Sequence, residues 1–252
     1  MVKGLSVFAD HFVGYGDQYI IIGATACSLA LELRDLEFRI TKDIDMVLIV
    51  EALSTDFVRA FWDFIREGGY HNRKKSSGSP QFYRFDNPSD PNYPQMIELF
   101  SRKPDILGEG YNGHLGPIPV EEELSSLSAI LLDEDYYSLI QTGRYDLDGL
   151  SCLKPEYLIV LKAKAWLDLK QQKLNGVDID SRDISKHKND VLRLYQIIEP
   201  DTRLPLSENI KANMQTFLDL IEQEPMALKD LKIIRTKPSD IIMSLRKLYY
   251  LG

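Results

Sequence analysis

The sequence predicts an α+β fold, in which a mixed sheet with flanking helices is followed by a helical C-terminal domain. Two observations carry this prediction. Residues 1–153 follow the order strand, helix, strand, helix and then mainly strands. From Pro155 onward, four segments have apolar residues at helical spacing and are separated by turn signals. We therefore predict two domains, 1–153 and 154–252.

The first elements alternate between helix and strand. Residues 5–15 carry apolar side chains at helical spacing, and residues 18–23 form a short β-rich run that Gly23 ends. Residues 24–36 show helical spacing again, with small and apolar side chains along one face. We expect these three elements to pack together at the start of the sheet.

The next predicted strand, residues 43–50, is apolar except that it opens with Asp43 and Asp45. Side chains at i and i+2 of a strand point to the same face, roughly 6–7 Å apart at the backbone. Two carboxylate charges 4 Å apart repel by about 4 kcal/mol at an effective dielectric constant of 20. We therefore expect a cation, or a set of hydrogen-bond donors, to lie between them.

Residues 54–67 are predicted as a helix, with Ser54 or Thr55 as its cap and Gly68 as its stop. A basic, Ser/Gly-rich loop is predicted over 71–81. The remaining predictions are strands at 82–87 and 95–102, two strands within 127–140 joined by an acidic turn at 133–135, and helices at 155–173, 185–198, 206–221 and 238–251. The strand at 95–102 carries Glu98.

Composition excludes several classes of protein. Of the 252 residues, 44% are hydrophobic and 27% charged, and no apolar run approaches the ~20 residues of a membrane span. The net charge of −8 argues against a protein that coats nucleic acid, because such binding depends on neutralising phosphates. One nucleic-acid end could still be held at a local basic patch.

The N-terminal residues and the cysteines favour a cytoplasmic location. Residues 1–12 contain an acid and lack an apolar stretch, so we expect no secretory signal. The two cysteines, Cys27 and Cys152, lie far apart in the sequence. We expect both to be reduced, small core residues in a reducing compartment.

The chain contains five features in a fixed order: a strand, a glycine, a small-residue helix, a strand bearing Asp-x-Asp and a later strand bearing one more acid. This order resembles the nucleotidyltransferase superfamily, whose relatives include DNA polymerase beta and the aminoglycoside nucleotidyltransferases. The family signature is a Gly-Gly or Gly-Ser turn, a helix, Asp-x-Asp or Asp-x-Glu, and a third acid. The corresponding residues here are Gly23, Ala24, Thr25, Asp43, Asp45 and Glu98.

The chain resembles the bacterial AbiEii-type, toxin-like branch of that superfamily more closely. This branch has a Gly-Gly-Thr-Ala-x-x-Leu turn, Arg-x-Thr-x-Asp-x-Asp, a helical Lys-Ala-x-Ala and a later Lys-His-x-x-Asp. The matching stretches are residues 23–29, 39–45, 162–165 and 186–190.

The resemblance implies a metal-dependent nucleotidyltransferase that moves a nucleoside monophosphate from a nucleoside triphosphate, such as ATP, to an acceptor. The implied metal is Mg²⁺, with Mn²⁺ as the alternative, held by Asp43, Asp45 and Glu98. The implied catalytic residues are Asp43, Asp45, Glu98, Lys162 and Asp190. The implied nucleotide-binding residues are Gly23, Ala24, Thr25, Thr41, Lys42 and Lys162.

The residue types suit this chemistry. Two Mg²⁺ ions about 3.5–4 Å apart can stabilise the attacking and leaving oxygens of an in-line displacement, and hard oxygen ligands such as carboxylates hold them. Glu98 could also act as the base for an acceptor hydroxyl. Backbone N–H groups at 23–26 would approach the triphosphate at a helix N-terminus, with the Thr25 hydroxyl as a further donor.

The chain departs from the family pattern at Ala24, where relatives have glycine or serine. Alanine keeps the N–H but resists positive φ. The alternative is therefore a catalytically silent nucleotide-binding or interaction module that retains the fold. The resemblance leaves three kinds of acceptor open, a tRNA 3′ end, a protein or a small molecule. It also implies a possible toxin role with an antitoxin protein as partner.

Overall fold

The computed structural model describes residues 2–76, 81–102, 116–118, 130–131 and 133–251. Within them lie eight strands: β1 (Tyr19–Ile22), β2 (Asp43–Leu48), β3 (Asn72–Ser76), β4 (Gln81–Asp86), β5 (Met96–Ser101), β6 (Gly116–Ile118), β7 (Arg144–Leu147) and β8 (Leu150–Leu153). The helices are α1 (Leu5–His11), α2 (Gly23–Glu32), α3 (Thr55–Glu67), α4 (Glu134–Thr142), α5 (Pro155–Leu174), α6 (Ser181–Tyr195), α7 (Glu208–Glu222) and α8 (Pro238–Leu248).

The strands form one mixed sheet in the order β6-β3-β4-β5-β2-β1-β8-β7. Strand β2 lies near the middle, antiparallel to β1 and parallel to β5. Strand β1 is also parallel to β8. Helices α1–α4 accompany the sheet, and α5–α8 follow it, so the predicted α+β class is confirmed.

The central strands are covered on both faces. Every residue of β1 is buried, and β2 is buried from Met46 to Leu48. Such strands read as continuous apolar runs because neither face meets water. Polar side chains on β2 are confined to its first residues, Asp43 and Asp45, which are half-buried. The register places Asp45 between Ile22 on β1 and Glu98 on β5.

Helix α3 forms as its cap and apolar stripe predict. The Ser54 hydroxyl accepts a hydrogen bond from the Phe57 N–H at 3.1 Å, which satisfies one of the free donors of the first turn. Phe57, Phe61 and Phe64 are buried against α1 through Phe12. These contacts hold α1 against α3, and Tyr19 of β1 joins them through its ring contacts with Phe12 and Phe57.

Helix α5 is the central helix of the C-terminal half. Its buried residues lie on all sides, and Trp166 packs edge-on against Phe217 of α7 with ring centroids 5.3 Å apart. Helix α6 lies against it and contributes the buried residues Val191 and Leu194. In the part of the chain that the structure describes, no helix is both long and apolar enough to cross a membrane.

The prediction of two strands within 127–140 is wrong. Residues 134–142 form helix α4, and the Asp133 carboxylate caps it by accepting from the N–H groups of Asp135 and Tyr136. The acidic residues at 133–135 are therefore a helix start and not a turn between strands. Residues 127–129 and 132 lie outside the described residues.

Four of the described strands were not expected, namely β3, β6, β7 and β8. Strand β3 takes up residues 72–76 of the predicted loop and pairs with β4, while 77–80 lie outside the described residues. Strands β7 and β8 form a hairpin whose two-residue turn, Asp148-Gly149, has positive φ at both positions. Asp-Gly is a favoured sequence for such a turn, and this signal was present in the sequence.

The predicted boundary between residues 153 and 154 remains a prediction. Strand β8 ends at Leu153 and α5 begins at Pro155. One cluster of buried hydrophobic residues extends from the sheet, for example Ile21, to the helices, for example Phe217. The sheet and the helical half thus share a core.

Candidate functional site

A cleft of about 200 Å³ lies between one end of the sheet and helices α5 and α6. It is smaller than the ~300–1,000 Å³ of typical ligand pockets. The residues that line it are Ile22, Gly23, Ala24, Arg39, Thr41, Asp43, Asp45, Glu98, Phe100, Leu158, Leu161, Lys162, Ala165, Lys186 and His187.

The turn from β1 into α2 requires glycine. Gly23 has φ +68°, and a Cβ added there would lie 1.9 Å from Asp45 Oδ2. The Asp45 carboxylate also accepts a hydrogen bond from the backbone N–H of Ala24. This carboxylate therefore sits on the N-terminus of α2, where backbone N–H groups favour negative charge.

Ala24 is compatible with this turn. Residue 24 is the second residue of α2 and is not among the positive-φ residues. The left-handed conformation is confined to Gly23, so alanine at the next position introduces no backbone strain. Ala24 lines the cleft with its N–H directed at Asp45.

Thr25 faces the protein and not the cleft. Its side chain is fully buried, and its hydroxyl donates to the backbone carbonyl of Asp43. This bond attaches α2 to the start of β2. The predicted contact between this hydroxyl and a triphosphate does not form in this arrangement, because the hydroxyl is already used and inaccessible.

The three predicted acids lie together. Asp43 and Asp45 share one face of β2, and Glu98 on β5 is the register partner of Asp45. Burial, together with the charge of Asp45, raises the pKa of Asp43. Burial raises the pKa of Glu98 to about 9, with the charge and hydrogen bond of Asp45 adding to the effect. The carboxyls of Asp43, Asp45 and Glu98 therefore crowd one another.

Glu98 is also paired with a cation of the protein. Arg84 on β4 donates from Nε to Glu98 Oε1 at 2.8 Å, and its Nη2 lies 2.7 Å from the same oxygen. Among the described residues, no three His, Cys, Asp or Glu side chains are grouped so that they could hold a metal ion. Asp43 and Asp45 fit one hard cation that takes its other ligands from water and phosphate.

Across the cleft from the acids, a buried ion cluster fixes Lys162. Its Nζ lies 3.2 Å from Oδ2 of Asp190, which is fully buried. Arg39 donates to both oxygens of Asp190 at 3.3 and 3.4 Å. Burial alone would raise the pKa of Asp190, but Lys162 and Arg39 outweigh burial and lower it. Asp190 is therefore ionised and positions Lys162.

The remaining predicted residues differ in position. Thr41 lines the cleft, whereas Lys42 is exposed and is not part of the lining. Three lining residues were not assigned to the site from sequence, namely Arg39, Lys186 and His187. All three lie within the stretches 39–45 and 186–190 that carry the resemblance, which was the signal available for them.

No family model and no curated protein matches the chain. Solved structures that resemble it include an antigenic nucleotidyltransferase-like protein from Paracoccidioides brasiliensis, with 16% identity over 90% of each chain and a TM-score of 0.43. Another is the Megavirus polyadenylate synthase, with 12% identity and a TM-score of 0.43, where the match covers 88% of this chain and 36% of that one. At these values, an inference about function depends on the site of this chain.

Proposed function

We propose that this chain is a metal-dependent nucleotidyltransferase, which moves a nucleoside monophosphate from a nucleoside triphosphate to an acceptor. The observation that carries this proposal is the placement of Asp43 and Asp45 in one cleft with Lys162. An end of a sheet that gathers carboxylates opposite a fixed lysine suits a metal-bound polyanion. The order of these residues in the sequence supports the same class.

Asp43 and Asp45 would hold the divalent cation, Mg²⁺ or Mn²⁺. When bound, such an ion neutralises negative charge on a phosphoryl group and orients it. The chain contributes a rigid frame for this ion. Gly23 lets the Asp45 carboxylate lie against α2, and the Thr25 hydroxyl holds the first residue of β2 in place.

Lys162 would bind the triphosphate. Burial alone would lower the pKa of its ammonium group, but Asp190 outweighs burial and raises the pKa, so Lys162 stays charged. Arg39 and Lys186 lie along the same cleft and add positive charge where phosphates would leave the cavity. The acceptor could be a tRNA 3′ end, a protein or a small molecule, and the toxin role and antitoxin partner remain predictions from resemblance.

A catalytically silent nucleotide-binding or interaction module is the second candidate. Two contacts favour it: the Asp45 carboxylate covers the N-terminus of α2, and Arg84 binds Glu98. Both groups would otherwise be available to a nucleotide and its metal. The strain-free backbone at Ala24 counts against this candidate, because the phosphate turn keeps its geometry.

The test is calorimetric titration of each nucleoside triphosphate with Mg²⁺ into the wild type and into Asp43→Asn/Asp45→Asn. We expect metal-dependent binding that the double variant loses and that Asp10→Asn, an exposed acid on α1, retains. Incubation with labelled nucleotide and candidate acceptors then tests transfer. Binding without any transfer would favour a silent nucleotide-binding module, and no binding by the wild type would refute the enzyme and favour a silent interaction module.

A further inference from the structure

A charged row crosses three adjacent strands, and two of its members, Asp45 and Glu98, line the cleft. The register pairs Asp45 of β2 with Glu98 of β5, and Glu98 with Arg84 of β4. Glu98 shares a hydrogen bond with Asp45 on one side and accepts from Arg84 on the other. The row is mostly covered, since the side chains of Arg84 and Glu98 are 13% and 9% exposed.

From this row we propose that Arg84 takes the place of a second metal ion, so that the cleft binds one divalent cation, on Asp43 and Asp45. This inference rests on the proposed function. Glu98 stays bonded to Arg84 and is not a metal ligand. Arg84 is then a positioning residue, which holds the Glu98 carboxyl and supplies a fixed positive charge beside it.

The contacts of Glu98 support this assignment. Two nitrogens of Arg84, Nε and Nη2, bind Oε1 of Glu98. The Glu98 carboxyl also shares a hydrogen bond with Asp45. A carboxyl with these partners has little capacity left for a metal ion. To become a ligand it would have to give up two contacts with a mostly buried guanidinium, and losing charge-assisted hydrogen bonds of this kind is unfavourable.

The charges of the row support it as well. Arg84 already places a positive charge within hydrogen-bonding distance of Glu98, so this carboxyl needs no metal ion as its counter-charge. Mg²⁺ is commonly bound through one or two carboxylates plus substrate phosphates and water, which is what Asp43 and Asp45 offer. Arginine suits the other position because its guanidinium stays charged at any working pH and its planar fork matches a carboxylate.

The test counts metal ions, with Mn²⁺ as the probe. Mn²⁺ is titrated at pH 7.5 into the full chain saturated with a non-hydrolysable ATP analogue, and electron paramagnetic resonance gives bound Mn²⁺ per bound analogue. We expect one Mn²⁺ in the wild type. Glu98→Gln should keep one bound ion at saturating Mn²⁺, with a loss of affinity of about 10-fold, as is typical of a changed outer-shell partner, whereas Asp45→Asn, which removes a ligand, should weaken Mn²⁺ binding further.

Substitution of Arg84 gives the complementary result. Arg84→Met frees Glu98 from its partner and should raise the count to two, while Arg84→Lys, which keeps the charge, should leave it at one. Thermal unfolding of each variant shows that the chain is folded. If Arg84→Met does not fold, the Glu98→Gln result decides.

Two ions in the wild type, or an ion lost in Glu98→Gln, overturn this inference and leave the proposed function intact. A wild type that binds neither the analogue nor Mn²⁺ overturns both.

Discussion

Gly23 shows how one residue sets the geometry of the cleft. Its positive φ turns the chain from β1 into α2, and its missing side chain makes room for the Asp45 carboxylate. Other glycines of this chain share the conformation without the crowding. Gly149 has φ +82° and no atom within 4 Å of an added Cβ. Comparing alanine substitutions at Gly23 and Gly149 therefore separates the cost of backbone strain from the cost of close packing.

We expect Gly23→Ala to destabilise the chain more than Gly149→Ala. The left-handed conformation alone should cost alanine about 1–2 kcal/mol at either position. At position 23 the added methyl also displaces the Asp45 carboxylate, so metal binding should fall as well. Urea unfolding measures the first effect and Mn²⁺ titration the second. Equal unfolding free energies, with Mn²⁺ binding retained in Gly23→Ala, would contradict this role of the glycine.

Asp190 is a second residue whose position matters, because it is the shared counter-charge of a buried ion cluster. It is fully buried and faces Lys162 and Arg39, and Arg193 lies 3.6 Å from its Oδ1. Buried ion clusters contribute little net stability when complete, but removing one partner leaves uncompensated charge. The carboxylate should therefore matter more for stability than any one of its cations.

We expect Asp190→Asn to lower the free energy of unfolding by roughly 3–5 kcal/mol at pH 7, because the cations lose their counter-charge. Lys162→Met should cost less, since Arg39 still faces the carboxylate. The pKa of Asp190 is lowered in the folded chain, so its stabilisation is present above the ordinary carboxyl pKa of about 4 and is lost as pH falls through the folded pKa.

Urea unfolding of wild type and Asp190→Asn between pH 7 and pH 3 measures this linkage. The difference between the two proteins should shrink as the pH falls below about 4. A difference that stays constant down to pH 3 would show that the charge of Asp190 is not what stabilises the fold.

Site residues that belong to one short motif can be predicted from the sequence, whereas Arg84, which only strand pairing brings to the site, cannot. Asp43 and Asp45 are two residues apart, so their shared face follows from the strand period alone. Arg84 reaches Glu98 because β4 and β5 are antiparallel in a particular register. That register depends on the connection between the two strands, which no local pattern specifies.

Helix α4 shows the same limit at the scale of an element. Residues 127–140 combine an apolar run with acidic residues, which is a pattern that two strands and a turn would also give. The N-cap residue of α4 distinguishes the helix from two strands and a turn. The Asp133 carboxylate accepts from two N–H groups of the first helical turn, and Glu134 and Asp135 add favourable charge there.

We expect Asp133→Ala to cost about 1 kcal/mol of unfolding free energy, the usual value of a lost N-cap. Asp133→Asn should retain most of the stability, because asparagine caps equally well. Asp133 Oδ2 also accepts from the Asn209 side chain at 2.9 Å, and Asn209→Ala measures that contact separately. Equal losses in the alanine and asparagine variants would show that the cap is not the source.

At the scale of the whole molecule, the sheet and the C-terminal helices share their hydrophobic core. The sequence contains two tryptophans, and they report on different halves. Trp62 lies in α3 beside the sheet, and Trp166 lies in α5 against α7. Both are buried. A shared apolar core of this kind favours one cooperative transition over two.

We expect the two halves to unfold together. In Trp166→Phe the fluorescence reports on Trp62, and in Trp62→Phe it reports on Trp166. Each fluorescence midpoint in urea should coincide with the midpoint that far-UV circular dichroism gives for the same variant. In either variant, a fluorescence midpoint that departs from the circular dichroism midpoint would instead mark the predicted boundary at residue 153 as the limit of an independently folding domain.

The position of β1 in the sheet has a consequence for how the chain folds during synthesis. Strand β1 pairs with β2, which follows soon after it, and with β8, whose Cys152 is the partner of Ile21. One edge of β1 can therefore be satisfied early, while the other remains open until the last strand has been made. Closing so long a loop is entropically costly and slow. The cleft around Gly23 is thus completed late, and the nascent chain carries an unpaired strand edge until then.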